Sequence, residues 1–268
     1  MEKVISSEIN SKLGVAIPTI NLAAYIDIIL GYYAAIGLPV TVFVDRKTTD
    51  HTLSICKSLA KHVVDIVNPT WRVEYALPDI SQHLGTPWIL RLDDDELPSL
   101  PMLEFVAQVI RENTADVVGF PRYQCSVSWT GNMLFHRLHD PFNEHRQWRL
   151  YRPDRMKYVS NIHTPGLVWD ENAVNVAAPE KAAMIHLDWT VHSVAERAKK
   201  LERYDADTPG MGSKYRHYYL ADERPDYHAG FAPLDVPEFA DIGYQLAARF
   251  PEAAINYEAI AADTPPNP

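Results

Sequence analysis

Five short apolar runs, at residues 13–17, 40–44, 63–67, 87–92 and 115–120, alternate with segments of helical spacing, and this alternation leaves the chain few folds. Leu22, Ile26, Leu30 and Tyr33 share one face of a helix over 22–36 that Gly37 stops. Asp50 can cap a second helix carrying Leu53, Cys56 and Ala60. Ser99 and Pro101 open a third, with Leu103, Val106, Ala107 and Ile110 at the i, i+3, i+4, i+7 spacing. Strands without polar alternation, three of them followed by a helix, imply a mostly parallel open sheet flanked by helices, an α/β fold. The 268 residues, 47% hydrophobic, suffice for a substantial core.

Parallel strands place their carboxyl ends along one edge, where open α/β sheets bind ligands. Pro18, Thr19 and Asn21 follow the first strand, Asp45 ends the second, and Asp93, Asp94, Asp95 and Glu96 follow the fourth. Four consecutive carboxylates raise one another's pKa, and folding them against a core costs several kcal/mol in rough terms unless a cation or hydrogen bonds compensate. A divalent ion held by oxygens is the simplest remedy, and Mg²⁺ and Mn²⁺ commonly bridge to phosphates. The other reading is a solvated acidic turn with Glu96 at a helix N-terminus.

A formal charge of −10 excludes a nucleic-acid backbone as the expected partner. Cys56 and Cys125, the only cysteines, form neither a disulfide framework nor a zinc spacing, which points to a reducing cytoplasm. Asp27 is the only formal charge between Gly14 and Val44, yet Pro18, Asn21, Asp27 and the Gly37-Leu38-Pro39 break divide this stretch into pieces too short for a transmembrane segment. Peripheral membrane contact is left open. Beyond residue 122 the pattern changes to scattered tryptophans (Trp129, Trp148, Trp169, Trp189) and short apolar bursts, implying antiparallel strands and loops. Ser193 begins a helix with a capping box to Glu196, expected to turn Val194, Ala198, Leu201 and Tyr204 inward and Arg197, Lys199, Lys200 and Arg203 outward. Residues 205–235 read as a long loop and 238–249 as a last helix. The expected organisation is therefore a regular α/β half over 1–122, a less regular half over 123–258 and a disordered tail over 259–268.

Three segments in order resemble the family 2 type of GT-A glycosyltransferases. Ala16-Ile17-Pro18-Thr19-Ile20-Asn21 is similar to that family's opening strand and turn, the segment from Val42 through Asp45 to Thr52 to its strand ending in Asp with a following Ser/Thr-x-Asp-x-Thr loop, and Trp88 to Glu96 to its strand ending in Asp-x-Asp-Glu. The resemblance covers about the first 120 residues. It implies a GT-A-like sheet with a smaller antiparallel or irregular acceptor-side region, a nucleotide-sugar donor, a saccharide or other hydroxyl acceptor, and Mn²⁺ or Mg²⁺. Carried over, Pro18, Thr19, Asn21, Asp45, Asp93, Asp94 and Arg149 would meet the donor, and Asp93, Asp95 and His186 the metal, with His192 and His163 competing for the imidazole. The base for the acceptor hydroxyl is not evident, and His163, Asp170 and Glu144, with Asp140, are its candidates. Arg149 and Arg152 suit phosphate or acceptor, or equally the excess carboxylates. Arg46-Lys47 departs from the commoner Asp-x-Gly/Ser pattern. A sugar nucleotidyltransferase would share sheet and metal but needs a glycine-rich phosphate loop, and residues 15–25 contain no glycine. A catalytically degenerate binding module of the same fold is the non-enzyme alternative.

Overall fold

The computed structural model describes residues 5–137, 146–160 and 166–259. In chain order its strands are β1 (Leu13–Thr19), β2 (Thr41–Asp45), β3 (His62–Ile66), β4 (Trp88–Arg91), β5 (Glu96–Pro98), β6 (Val117–Phe120), β7 (Arg122–Val127), β8 (Met133–His136), β9 (Gln147–Tyr151), β10 (Met156–Tyr158), β11 (Leu167–Trp169), β12 (Asn175–Ala177), β13 (Met184–His186) and β14 (Phe231–Pro233). The α-helices are α1 (Ser7–Asn10), α2 (Ile26–Ala35), α3 (Thr52–Leu59), α4 (Leu77–Leu84), α5 (Leu100–Glu112), α6 (Asp188–Val191), α7 (Val194–Asp207), α8 (Met211–Tyr219) and α9 (Ala240–Arg249). The chain divides into two compact units, one of Met1–Arg122 with Pro141–Ile185, the other of Tyr123–Asp140 with His186–Pro268.

The first unit holds a seven-stranded sheet in the order β12-β6-β9-β4-β1-β2-β3. β1 pairs in parallel with β2 and β4, and β2 with β3. Every residue of β1 is buried, so both of its faces are covered, which is why its sequence shows no polar alternation. One packed layer joins Ala16, Phe43, Ile89, Val117 and Tyr151 of the sheet to Leu77 and Ile80 of α4. α5 starts where its sequence signals: Ser99 accepts from the Met102 N–H at 3.2 Å, and Asn113, at φ 51°, ends the helix in the left-handed region. This partition differs from a boundary at residue 122, because β9 and β12 return from the second half of the sequence into the first unit's sheet. β9 enters antiparallel between β4 and β6, with Leu150 and Tyr151 fully buried.

The second unit carries an antiparallel ribbon, β14-β8-β7, and a core of Leu134, Trp189, Ala221, Tyr227, Phe231 and Ile255. The capping box at Ser193 and Glu196 is present at the start of α7. Its buried stripe, however, is Arg197, Leu201 and Tyr204, while Val194 is 47% exposed. Arg197 is thus interior rather than solvated: its guanidinium donates to the Tyr219 carbonyl at 2.6 Å and pairs with Asp222 at 3.3 Å. The loop expected over 205–235 contains α8, β14 and short 3-10 turns. Gly210, at φ 86°, lets the chain reverse after α7. Gly212 then brings α8 so near α7 that an added Cβ would lie 2.4 Å from the Leu201 carbonyl oxygen, and Tyr218 and Tyr219 bury themselves there.

Candidate active site

In the first unit the ends of β1, β2 and β4 lie side by side, because Thr19 pairs with Val44 and Ala16 with both Thr41 and Arg91. Asn21 takes a left-handed φ of 54°, and its Oδ1 accepts the Thr49 N–H at 2.8 Å. Asp50 accepts the N–H groups of Ala23 and Thr52, so the loop after β1 is fastened to the loop after β2. These bonds give Asn21 and Asp50 a shaping task. Asp45 is buried; its Oδ1 accepts the Lys47 N–H at 2.9 Å and its Oδ2 lies 3.4 Å from Lys47 Nζ. Beside it, the hydroxyls of Thr19 and Thr48 are buried and make no hydrogen bond among the described residues. Buried hydroxyls are normally satisfied, so this edge offers two polar atoms to a ligand.

The acidic run forms the turn between β4 and β5. Asp93 is about one-third exposed, Asp95 buried and Glu96 fully buried. Arg91 Nη1 lies 3.2 Å from Asp93 Oδ1, Arg122 Nη1 3.0 Å from Glu96 Oε1, and Arg149 Nη2 contacts both Asp93 Oδ2 and, at 2.5 Å, Glu96 Oε1. The Asp93 N–H closes the turn onto Glu96 Oε2 at 3.0 Å. From α2, the Tyr33 hydroxyl donates to the Glu96 carbonyl at 2.7 Å and Tyr32 to that of Pro98 at 2.5 Å. Burial, then the charge of Asp93, pushes the Glu96 carboxyl up to about 8, against Arg122. Much of the compensation expected from a metal therefore comes from guanidiniums, which engage Asp93 and Glu96. The turn's donors are all carboxylate oxygens, a set that fits Mg²⁺ or Mn²⁺.

The second unit also carries a polar cluster. Asp188, fully buried at the start of α6, has Lys200 Nζ 3.3 Å and His192 Nδ1 3.4 Å from its Oδ1, while its Oδ2 makes no hydrogen bond among the described residues. Burial acts to raise its pKa, but Lys200, ahead of His192 and His186, overcomes this and holds the carboxyl well below its usual range. Lys200, expected on a solvated face, is thereby committed, and its ammonium also sits 4.6 Å from the centre of the Tyr219 ring. His186 is buried, its Nδ1 2.7 Å from Gln124 Oε1 and 3.0 Å from the Tyr218 hydroxyl.

Asp170 follows the β10-β11 hairpin, 45% exposed and 3.7 Å from Lys157. His163, Glu144 and Asp140 lie outside the described residues. Arg152 turns to Asp116 and Asp154, at 3.7 and 3.3 Å. Asp188 went unnoticed in the sequence; the His186-x-Asp188 spacing and the i, i+4 step to His192 were the available signal.

The model of glycosyl transferase family 2 matches residues 15–173, more than half of the chain. The chain belongs to glycosyl transferase family 2. Its sheet is the mostly parallel, helix-flanked sheet of a GT-A glycosyltransferase. Among solved structures it is similar to S. aureus TarS residues 1–349, at 14% identity and a TM-score of 0.47, covering 94% of this chain and 82% of that one. Against another S. aureus TarS structure the values are 13% and 0.48, covering 94% and 55%. Against a CMP:2-keto-3-deoxy-manno-octonic acid synthetase complexed with CTP they are 13% and 0.37, covering 54% and 75%. A search of curated proteins gives no match. Among the described residues no helix is long and apolar enough to cross a membrane.

Proposed function

We propose that this glycosyltransferase moves a sugar from a nucleoside diphosphate donor to a hydroxyl acceptor, with inversion, and depends on Mn²⁺ or Mg²⁺ held at the acidic turn through Asp95. One observation carries the reading: adjacent parallel strands bring buried Asp45, the unsatisfied Thr19 hydroxyl and the acidic turn to one sheet edge. Asp45 accepts a hydrogen bond from base or ribose once Lys47 gives way, and the Thr19 and Thr48 hydroxyls complete that contact. Pro18 lines the same pocket, and Asp93 and Asp94 border the diphosphate side. The bound ion supplies Lewis-acid stabilisation of the charge that builds on the departing diphosphate.

An inverting transfer needs a carboxylate or imidazole to take the acceptor's proton from the face opposite the leaving group. His163, Asp170 and Glu144 stand as proposals for that base.

A thermal-shift screen of nucleoside diphosphates and nucleotide sugars, with and without Mn²⁺, tests the reading, since a ligand of the native state raises Tm by mass action. The expected result is a shift with one base that requires Mn²⁺ and disappears in Asp95→Ala. Binding without turnover on any donor would instead favour a non-catalytic module. His186→Ala and His192→Ala, assayed for Mn²⁺ affinity, show whether either imidazole joins the ion.

A further inference from the structure

We propose that Arg149 is a positioning residue, which fixes Asp93 and Glu96 so that the acidic turn presents Asp95 to the metal; this rests on the metal-dependent reading above. The first observation is its delivery. On β9, Leu150 pairs with Val118 and Trp148 with Gly119, so Arg149 is the extra residue of a β-bulge facing a single step of β6. Bulges re-aim side chains beside functional sites. Gly119 accommodates the Trp148 indole, where an added Cβ would stand 3.0 Å from the ring.

The second observation is what the guanidinium touches. Its Nη2 bridges Asp93 and Glu96, and the side chain is 2% exposed. A phosphate could reach it only by displacing two carboxylates. Arg149 Nε is buried without a hydrogen-bond partner among the described residues, so the guanidinium is not there for its own satisfaction. With Arg91 and Arg122 it sets three guanidiniums against the carboxylates of the turn, so most of the acidic charge there is offset. Asp93 and Glu96 are the two so held, on either side of Asp94 and Asp95, which fixes the turn at both ends.

The two roles open to Arg149 predict opposite signs. If it acts only through charge, or binds donor phosphate, its removal leaves Mn²⁺ affinity in the absence of nucleotide unchanged or tighter, because a cation beside the site has gone. If it positions the turn, removal weakens Mn²⁺ binding. Mn²⁺ alone is titrated into wild type, Arg149→Lys and Arg149→Gln, and free ion is counted by electron paramagnetic resonance. The expected result is a Kd raised about tenfold or more in Arg149→Gln and less in Arg149→Lys, which keeps the charge but is shorter, in line with the about 10–100-fold effects of residues that orient metal ligands. Should Arg149→Gln not fold, Glu96→Gln with Arg149→Gln removes the buried pair together and is expected to weaken Mn²⁺ equally. Unchanged or tighter binding in the folded variants overturns the proposal. Wild type that takes up no Mn²⁺ overturns the metal reading itself, and the positioning role with it.

Discussion

Glu96 in the first unit and Asp188 in the second are both fully buried carboxylates with cations at hydrogen-bonding or ion-pair distance, yet their pKa values move in opposite directions. Glu96 sits among other acids, so Asp93 and Asp95 add to burial and push it up to about 8. Asp188 has Lys200, His192 and His186 around it and is held down. Burial alone therefore does not decide a carboxyl's charge; the sign of its neighbours does. The first unit concentrates acid around a turn that suits a cation, whereas the second surrounds one acid with bases.

The sharpest way to break this comparison is to neutralise each acid in turn. Asp188→Asn removes the charge from a fully buried site and leaves the half-buried Lys200 facing an uncharged group, and should cost about 2–3 kcal/mol in urea unfolding. Glu96→Gln removes a group already pushed toward its neutral form, so its cost at pH 7 should be smaller, about 1–2 kcal/mol. Equal costs would erase the distinction.

The pH dependence of stability sharpens it further. For Glu96 the folded value, about 8, lies above the ordinary 4.5. Its contribution is fully present below about 4.5 and is lost as pH rises through 8. For Asp188 the folded value lies below the ordinary 3.8, so its contribution is present above 3.8 and is lost as pH falls through the folded value. Relative to each variant, wild type should lose stability toward alkaline pH through Glu96 and toward acid pH through Asp188. Unfolding curves of wild type and each variant, taken into the alkaline range for Glu96 and the acid range for Asp188, provide the check.

The smallest expected effect is at Thr19. Its buried hydroxyl has no partner among the described residues. Thr19→Val should therefore leave stability within about 0.5 kcal/mol or raise it, while weakening nucleotide binding by about 0.5–1.5 kcal/mol if that hydroxyl meets the ligand. A nucleotide affinity unchanged by calorimetry would remove Thr19 from the pocket.

Much of the parallel sheet is legible because β1, β2 and β4 are buried almost throughout and α5 carries an ordinary cap at Ser99. β9 was not assigned to that sheet, since Gln147–Tyr151 carries a charge at its centre and returns from a region without regular alternation. Arg149 is buried only because Asp93 and Glu96, more than fifty residues away, wait for it. The sequence of α8 reads as loop because it is polar and follows Gly210; its stability comes from Tyr218 and Tyr219 and from the close approach at Gly212, none of which has a local period. The same reason hid Arg197 and Lys200, whose partners, the Tyr219 carbonyl and Asp188, are brought to them by tertiary folding.

The central claim, that the carboxylates at the sheet edge serve a metal-dependent transfer from a nucleotide sugar, is tested most directly by nucleoside diphosphate release from a panel of nucleotide sugars. Wild type with Mn²⁺ should release one nucleoside diphosphate, chelation should stop it, and Asp95→Ala should lower the rate by about 100-fold or more while unfolding at nearly the wild-type urea midpoint. Undiminished release by a folded Asp95→Ala protein would contradict it.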